Sequence, residues 1–245
     1  LQIDHCFSDD LGIDVNPVFD GLAAASVNLS KDDQDLGVLF IDLGADKTNM
    51  LLYKDNYLIH SKVIPLGSKS VTKDIAAYLQ TSIKEAEKIK HEHVSALSDF
   101  ADSESNFELP IENDDLTKSI NKKEISEIAE LRYEDIIDQI KSELKLFRMD
   151  ISDIRSGIKI TGGGSNVKNL DLLFKKHFEN TKCEYLSIKN TVFKENIEDR
   201  RELSTLVGLL SWPIFNVEDS SSSVGIKDFK SITKSISHIW RGFFD

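Results

Sequence analysis

The sequence predicts an α/β protein: a sheet domain interrupted by an inserted segment and followed by a C-terminal amphipathic helix. Three observations carry this. Early apolar runs have strand length, and later stretches keep a 3.6-residue period. A strand-like run ending in Gly162-Gly163-Gly164 then returns after a long helical stretch. With 245 residues, 40% hydrophobic and 29% charged, the chain can bury one large core or two small ones, which excludes a disordered chain. Its 30 basic and 42 acidic side chains leave a net charge of −12, which argues against a nucleic-acid binder needing a basic stripe. Cys6 and Cys183 are far apart and form no metal or disulfide pattern, so a reducing compartment is expected. No apolar run approaches the ~20 residues of a membrane-crossing helix. The first residue is Leu1 and no charged-then-apolar leader follows, so no signal peptide is expected and a longer chain stays in view.

The elements follow in order. Residues 11–29 are small and apolar, with Ala23-Ala24-Ala25, and read as a closely packed helix. Residues 37–44 (GVLFIDLG) form a continuous apolar run stopped by glycine, the pattern of a strand buried on both faces. Residues 50–53 and 57–64 flank the turn-like Lys54-Asp55-Asn56 and predict a hairpin. Val71, Ile75, Ala76 and Leu79 keep helical spacing, and Ser82 with Glu85 reads as a capping box opening the next helix. From 99 to 115 the chain is acidic, with Asp102, Glu104, Glu108, Glu112 and Asp114 and no lysine or arginine. That run is either a solvated face or a cation site. Within it Phe107, Leu109 and Ile111 alternate as one short edge strand.

Asn121 with Glu124 opens a long helix whose apolar face runs from Ile125 to about Phe147. Residues 158–161 form a strand leading into the glycines, and Val167, Leu170, Leu173, Phe174 and Phe178 mark the helix beyond. Residues 185–188 suggest a strand and 203–210 a buried helix. Composition shifts at Asn216, and Ser220 to Ser223 read as a flexible linker.

Three constellations carry chemistry. Asp42-Leu43-Gly44-Ala45-Asp46-Lys47-Thr48 is a tight turn after a strand. It is either an ordinary hairpin turn or one whose N–H groups wrap a phosphate, with Asp42 holding a metal ion's water shell. Thr161-Gly162-Gly163-Gly164-Ser165 lets backbone approach a ligand closely, or merely turns from strand to helix. In residues 226–245, Phe229, Ile232, Ile236, Trp240 and Phe243 form one helical stripe, with Phe244 beside it. Lys227, Lys230, Lys234 and Arg241 flank it against only Asp228 and Asp245. This fits an in-plane membrane anchor, with docking on its own domain or on a partner protein as the alternative. His91 and His93 are two apart, on different helix faces, and make no zinc pair.

The order of Asp42-x-Gly44, residues 86–90 (AEKIK), 160–164 (ITGGG) and 204–210 (STLVGLL) resembles the second half of the FtsA family of bacterial actin-like cell-division proteins. Residues 63–67 (VIPLG) and 71–76 (VTKDIA) are especially similar to it. The resemblance implies an actin-like (ribonuclease H-like) fold. Residues 1–35 would end domain I and its connecting helix, 36–94 and 157–212 would form subdomain IIA, and 95–156 subdomain IIB. Residues 213–225 would be linker and 226–245 a membrane-targeting helix. It also implies ATP with Mg near Asp42 and no separate metal site. Asp42, Gly44 and Thr48 match the second phosphate loop, which includes Ala45, Asp46 and Lys47. Glu87 and Lys90 match the pair beside the adenosine, and Gly162, Gly163 and Gly164 with Ser165 the adenosine loop.

The implied partners are the FtsZ C-terminal peptide through subdomain IIB, further copies in actin-like filaments, and an anionic membrane surface, but no nucleic acid. The implied role is tethering FtsZ filaments to the cytoplasmic face of the membrane at the division site, as a nucleotide-binding scaffold with at most weak ATPase activity. Alternatives are an actin-fold ATPase or kinase of chaperone or sugar-kinase type lacking its first half, or a pilus-assembly homologue. The amphipathic tail favours the scaffold. Two departures matter. Ala45 and Asp46 stand where the family has glycines, so a methyl narrows the approach and a carboxylate repels phosphate unless Asp46 points outward and Lys47 compensates. The first phosphate loop has no counterpart in this chain, so this chain alone is expected to bind nucleotide weakly or not at all.

The tail yields a direct test. Liposome flotation should find the chain on anionic vesicles, and Trp240→Glu should release it, since burying one large apolar side chain contributes roughly 1.5–3 kcal/mol. Added salt should weaken binding without abolishing it. A wild-type chain that stays soluble at low salt assigns the stripe to protein docking.

Overall fold

Val38–Leu43 (β1) carries a single polar side chain, Asp42, and all six residues are buried. A strand with no solvent face belongs at the centre of a sheet, and β1 lies there. The computed structural model describes residues 17–110, 117–179, 181–188 and 199–215. β1 pairs antiparallel with Thr48–Lys54 (β2), which pairs antiparallel with the edge strand Tyr57–Ile64 (β3). On its other side β1 pairs parallel with Gly157–Thr161 (β6), which pairs parallel with Cys183–Tyr185 (β7). The order is β3-β2-β1-β6-β7. Asp55 and Asn56 adopt positive φ at the β2–β3 turn, matching the twist a two-residue hairpin requires.

Alternation along β1 separates two packing layers. Val38 and Phe40, with Leu51 and Tyr53, meet Ala24, Ala25 and Leu29 from the end of the chain's first described helix, Asp20–Asn28 (α1). Small side chains there permit a close approach: a Cβ on Gly21 would fall 2.9 Å from Leu51 Cδ1. Leu39, Ile41 and Leu43 enter the larger core with Val71, Ile75, Ile137 and Ile140. That core is covered by Ser68–Leu79 (α3), Ile83–His93 (α4), Lys122–Leu146 (α5) and Leu170–His177 (α6). Replacing Ile137 or Ile140 by alanine would cost about 2–5 kcal/mol.

The short helix Lys31–Leu36 (α2) joins α1 to β1. Its capping box is reciprocal: Asp33 N–H donates to Ser30 Oγ at 3.1 Å, and Ser30 N–H to Asp33 Oδ2 at 3.0 Å. The box expected at Ser82 is only half formed. Ser82 Oγ accepts from Glu85 N–H, while the Glu85 carboxylate pairs with Lys88.

Between α4 and β6 lies the insert. Asn106–Pro110 (β4) and Thr117–Asn121 (β5) form their own two-stranded antiparallel sheet. The sequence suggested one edge strand; the second carries a single large apolar residue, Ile120, which sits opposite Phe107. Ile111, Glu112 and Asp114 lie outside the described residues. Asn121 Oδ1 caps α5 by accepting from the Lys123 and Glu124 N–H groups. Within α5, Ser126 Oγ accepts from Ser95 N–H at 3.0 Å and Glu130 from Ser98 N–H at 2.7 Å, so the helix anchors the start of the insert through buried polar groups. It ends one residue early, with Phe147 stacked on His60 at 4.4 Å.

Three further boundaries differ from the sequence reading. The glycines do not open directly into a helix: a 3-10 turn, Gly163–Asn166, and a left-handed Asn169 precede α6. The last strand covers Cys183–Tyr185 and not 185–188, though Leu186 and Ile188 are buried just beyond it. The final helix, Ser204–Phe215 (α7), runs past residue 210. The chain falls into two units, Leu1–Leu209, which holds both sheets, and Leu210–Asp245, of which residues 210–215 are described. Residues 213–215, expected to begin the linker, continue α7; the rest of the linker, the amphipathic tail with Lys227 through Phe244, Cys6 and residues 11–16 lie outside the described residues.

A buried charge cluster ties α2 to the parallel strands. Lys159 of β6 lies between Asp33 (3.5 Å) and Glu184, and the Ser156 hydroxyl donates to Asp33 Oδ1 at 2.6 Å. Burial alone would push the Asp33 carboxyl up. Hydrogen bonds from Ser156 and Ser30 and the Lys159 charge outweigh it and hold the group well below the usual carboxylate range. A depressed carboxyl adds stability that is present above its unfolded pKa, near 4, and lost as pH falls through the folded value. Ser156→Ala should therefore cost about 1.5–3 kcal/mol at neutral pH, the worth of a hydrogen bond to a charged group. It should also move acid unfolding to higher pH. Denaturant melts between pH 2 and 7 would check this; an equal loss at every pH would contradict it.

Candidate functional site

Where β1 ends, the chain makes the turn Gly44 to Lys47, closed by a hydrogen bond from Gly44 N–H to Lys47 C=O at 2.9 Å. The next helix folds back onto it. Ser68 N–H donates to Gly44 C=O at 3.0 Å and Lys69 N–H to Ala45 C=O at 2.8 Å, so the N-terminus of α3 is engaged by the turn's carbonyls. A Cβ on Gly67 would lie 2.4 Å from Ala45 O, so only glycine permits this contact.

The turn's charged residues have distinct partners. Asp46 points outward, 72% exposed, and pairs with Lys69 at 3.2 Å. Lys47 pairs with Asp20, the first residue of α1, at 2.6 Å. Lys47 is thus held by Asp20 and does not offset Asp46. Thr48 is fully buried, and its hydroxyl donates to Leu66 C=O at 2.7 Å, which fastens the base of the turn.

Asp42 sits opposite Asn49 in the β1–β2 ladder, and Asn49 Nδ2 donates to Asp42 Oδ2 at 3.0 Å. Asn49 Oδ1 is buried without a partner. Burial pushes the Asp42 carboxyl up, against the Asn49 hydrogen bond, and the nearby Asp20 charge pushes the same way as burial.

The parallel β1–β6 register places Thr161 beside Asp42 and delivers the glycine turn to the same spot. Gly162 has φ +88°, and a Cβ there would fall 2.5 Å from Asp42 Oδ1. A Cβ on Gly164 would lie 2.8 Å from Leu43 and 2.9 Å from Ser68 Cβ. Gly163 differs: its Cβ would meet only Glu202, at 3.3 Å. Two glycines therefore pack the turn, and the third opens it. Ser165 is fully buried and donates to Gly162 C=O at 2.7 Å, so it shapes the turn from within.

From α4, Glu87 and Lys90 complete the wall. Lys90 is buried, with Nζ 2.9 Å from both Thr72 Oγ1 and Glu87 and 3.4 Å from Ser68 C=O. Thr72 also donates to Glu87, and His91 Nε2 lies 3.1 Å from the other Glu87 oxygen. Burial raises the Glu87 carboxyl, but Thr72 and Lys90 outweigh it and hold it below the usual range.

Two adjoining cavities result. One of about 320 Å³ is lined by Glu87, Lys90, His91, Ser68, Gly163, Gly164, Asn166, Val167, Ala45 and Glu202. The other, about 420 Å³, is lined by Asp20, Asp42, Asn49, Gly44, Ala45, Asp46, Lys47, Gly162, Gly163, Arg201, Glu202 and Thr205. Ala45, Gly163 and Glu202 line both. Of the residues expected from sequence, Thr48 and Ser165 do not line either cavity. Asp20, Asn49, His91, Asn166, Arg201 and Glu202 were not anticipated. Asp20 merely opens a small-residue helix, and nothing in the order of residues joins it to Lys47. Among the described residues no group of three or more His, Cys, Asp or Glu is placed to hold a metal ion. The first cavity offers glycine backbone on one side and an ion pair on the other, suited to a polar ring with hydroxyls. The second is acid-rich and suits a ligand that brings a cation.

Comparison with known proteins agrees across most of the chain. The family model "Cell division protein FtsA" matches residues 39–208. Cell division protein FtsA of Bacillus subtilis (strain 168) is 29% identical over 221 residues, covering 88% of this chain and 48% of the relative. That of Escherichia coli (strain K12) is 28% identical over 201 residues, covering 80% and 48%. The chain thus spans about half the length of the curated relatives it matches. Among solved structures, MreB5 of Spiroplasma citri bound to ADP superposes with a TM-score of 0.67 at 18% identity, over 89% of this chain and 67% of that one. The PilM-PilN type IV pilus biogenesis complex gives 0.55 at 18% identity, over 80% and 51%. At such identity the likeness speaks for the fold alone, which is actin-like. With the family model taking in both strands of the central parallel pair, the glycine turn and the start of the last helix, the chain belongs to the FtsA family of cell division proteins.

Proposed function

We propose that this chain is the second half of an adenine-nucleotide-binding cell-division scaffold that links FtsZ filaments to the cytoplasmic face of the membrane at the division site. The observation that carries the nucleotide part is the convergence of three separate segments, the Asp42–Lys47 turn, the Glu87–Lys90 pair and the Gly162–Gly164 turn, on two adjoining cavities. Adenosine would lie between the Gly163-Gly164 backbone and Glu87–Lys90. The phosphates would lie toward Gly44, Ala45 and Lys47. The fit is chemical. Asn49 Oδ1 is a buried acceptor lacking a donor, and Asp20 and Asp42 line a cavity whose lysine is already paired. A Mg²⁺ ion bound with the phosphates would be held near these two carboxylates through its water shell, and would offset their negative charge. The MreB5 structures from Spiroplasma citri, which share the fold, hold ADP or AMPPNP.

Family membership supports recruitment of FtsZ, for which the insert, residues 95–156, is the proposed docking element, and assembly into actin-like filaments. The amphipathic tail supports the membrane attachment. The reading as a scaffold, in preference to a dedicated enzyme, also rests on that tail. Because the chain spans about half of its relatives, one wall of a split cleft is what it would contribute, and its own affinity for nucleotide would be weak.

Two glycine substitutions separate ligand binding from folding. Gly163→Val should leave the melting temperature close to wild type, because its Cβ meets only Glu202. It should remove ADP binding measured by amide chemical-shift titration, because Gly163 lines both cavities and a side chain there enters the space they share. Gly162→Ala should instead destabilise the fold by about 1–3 kcal/mol, because alanine at φ +88° is strained and its methyl meets Asp42. Undiminished ADP binding by a folded Gly163→Val chain would remove the nucleotide reading.

A further inference from the structure

We propose that Arg201 is a phosphate-contacting residue of the larger cavity, an assignment that rests on the nucleotide reading above. The cavity is lined by two cations, Lys47 and Arg201. Lys47 is already bound to Asp20 at 2.6 Å. The neighbouring Glu202 does not hold Arg201: its carboxylate accepts from Arg200 and from Asn166 Nδ2 at 3.3 Å. Among the described residues Arg201 has no acidic partner, and its Nη1 is buried without any hydrogen-bond acceptor. A guanidinium cannot escape burial by losing its proton, so a buried N–H without an acceptor is a standing cost.

The side chain is nevertheless held in place. Its guanidinium carbon lies 4.1 Å from the centre of the Tyr185 ring. That ring is itself fixed, since the Asp171 N–H donates to Tyr185 Oη at 3.1 Å. Stacking of this kind orients the planar fork while leaving its edge N–H groups for another partner. An arginine held over an aromatic face, lacking an acceptor and lining a cavity whose one other cation is already paired is prepared for an anion. Asp20 and Asp42 on the same cavity disfavour a bare anion and favour one that arrives with a divalent cation. A phosphate group carrying Mg²⁺ satisfies both requirements: its metal faces the carboxylates and a free oxygen faces Arg201. The contact replaces positive charge that the turn itself does not provide, because Asp46 pairs with Lys69 and Lys47 with Asp20.

The phosphate could belong to a nucleotide or be free in solution, and titration of the whole 245-residue chain with adenosine, ADP and inorganic phosphate, all with Mg²⁺, tells these apart. Amide chemical shifts register weak binding. Wild type should bind ADP more tightly than adenosine by about 10-fold or more, the scale of a charge-assisted hydrogen bond. Arg201→Gln should abolish that difference and leave adenosine affinity unchanged, which also reports an intact fold. Arg201→Lys should restore part of it. Retention of the ADP preference in Arg201→Gln overturns the assignment, as does an equal loss of adenosine binding with native circular dichroism. Adenosine and ADP binding equally to wild type also overturns it while the nucleoside site stands. Binding of inorganic phosphate without adenosine, or of no ligand at all, removes the nucleotide reading and this assignment together.

Discussion

The parallel pairing of β1 with β6 is the contact on which the rest of the structure depends. It joins segments separated by the hairpin, two helices and the insert with its long helix α5. Asp42 is set beside Thr161 in that register, so the strand that ends in the acidic turn and the strand that ends in glycines finish at the same edge. A one-residue slip would turn Asp42 into the apolar core and Ile41 toward the cavity, because side chains alternate between sheet faces. Parallel strands must be covered on both sides. Here α1 covers one face, and α3 to α6 cover the other.

At that edge, close approach is obtained by removing side chains and charge is managed by pairing. Gly67, Gly162 and Gly164 let three backbone segments meet where any Cβ would collide with a neighbour. The acids around the turn are then distributed: Asp46 is drawn out to Lys69, Asp20 takes Lys47, and Asp42 stays inside with a single amide donor. This leaves a cavity lined by Asp20 and Asp42 together with an arginine whose Nη1 has no acceptor. Such a surface is incompletely satisfied by its own residues.

The same division of labour runs through the insert. Its two-stranded sheet has little core of its own, and α5 supplies what it lacks: Ile125 and Ala129 bury apolar surface while Ser126 and Glu130 accept backbone N–H groups from the segment leading into it. Polar residues on the buried face of α5 would look like errors of helical patterning. They are satisfied because a loop far away in sequence presents its N–H donors to them, while Lys176 pairs with Glu130 and the Lys122 carbonyl accepts from Ser126.

Residue order alone determined the strands of the hairpin, the doubly buried β1, the caps of α4 and α5 and the glycine turn, because each rests on local rules of period, capping or backbone freedom. It also marked most of the cavity's lining, since Asp42, Gly44, Glu87, Lys90 and the three glycines stand out by type and spacing. Tertiary structure decided what local rules cannot reach. Thr48 and Ser165 carry hydroxyls in suggestive places, yet both are consumed by nearby carbonyls, a result that depends on how the turns fold back. Strand β5 exists because β4 is there to pair with it. Asp20 and Arg201 became part of one cavity only when α1 and the 3-10 turn before α7 were packed at the same end of the sheet. Their roles arise from charge and burial across long sequence separations, and no periodicity encodes those.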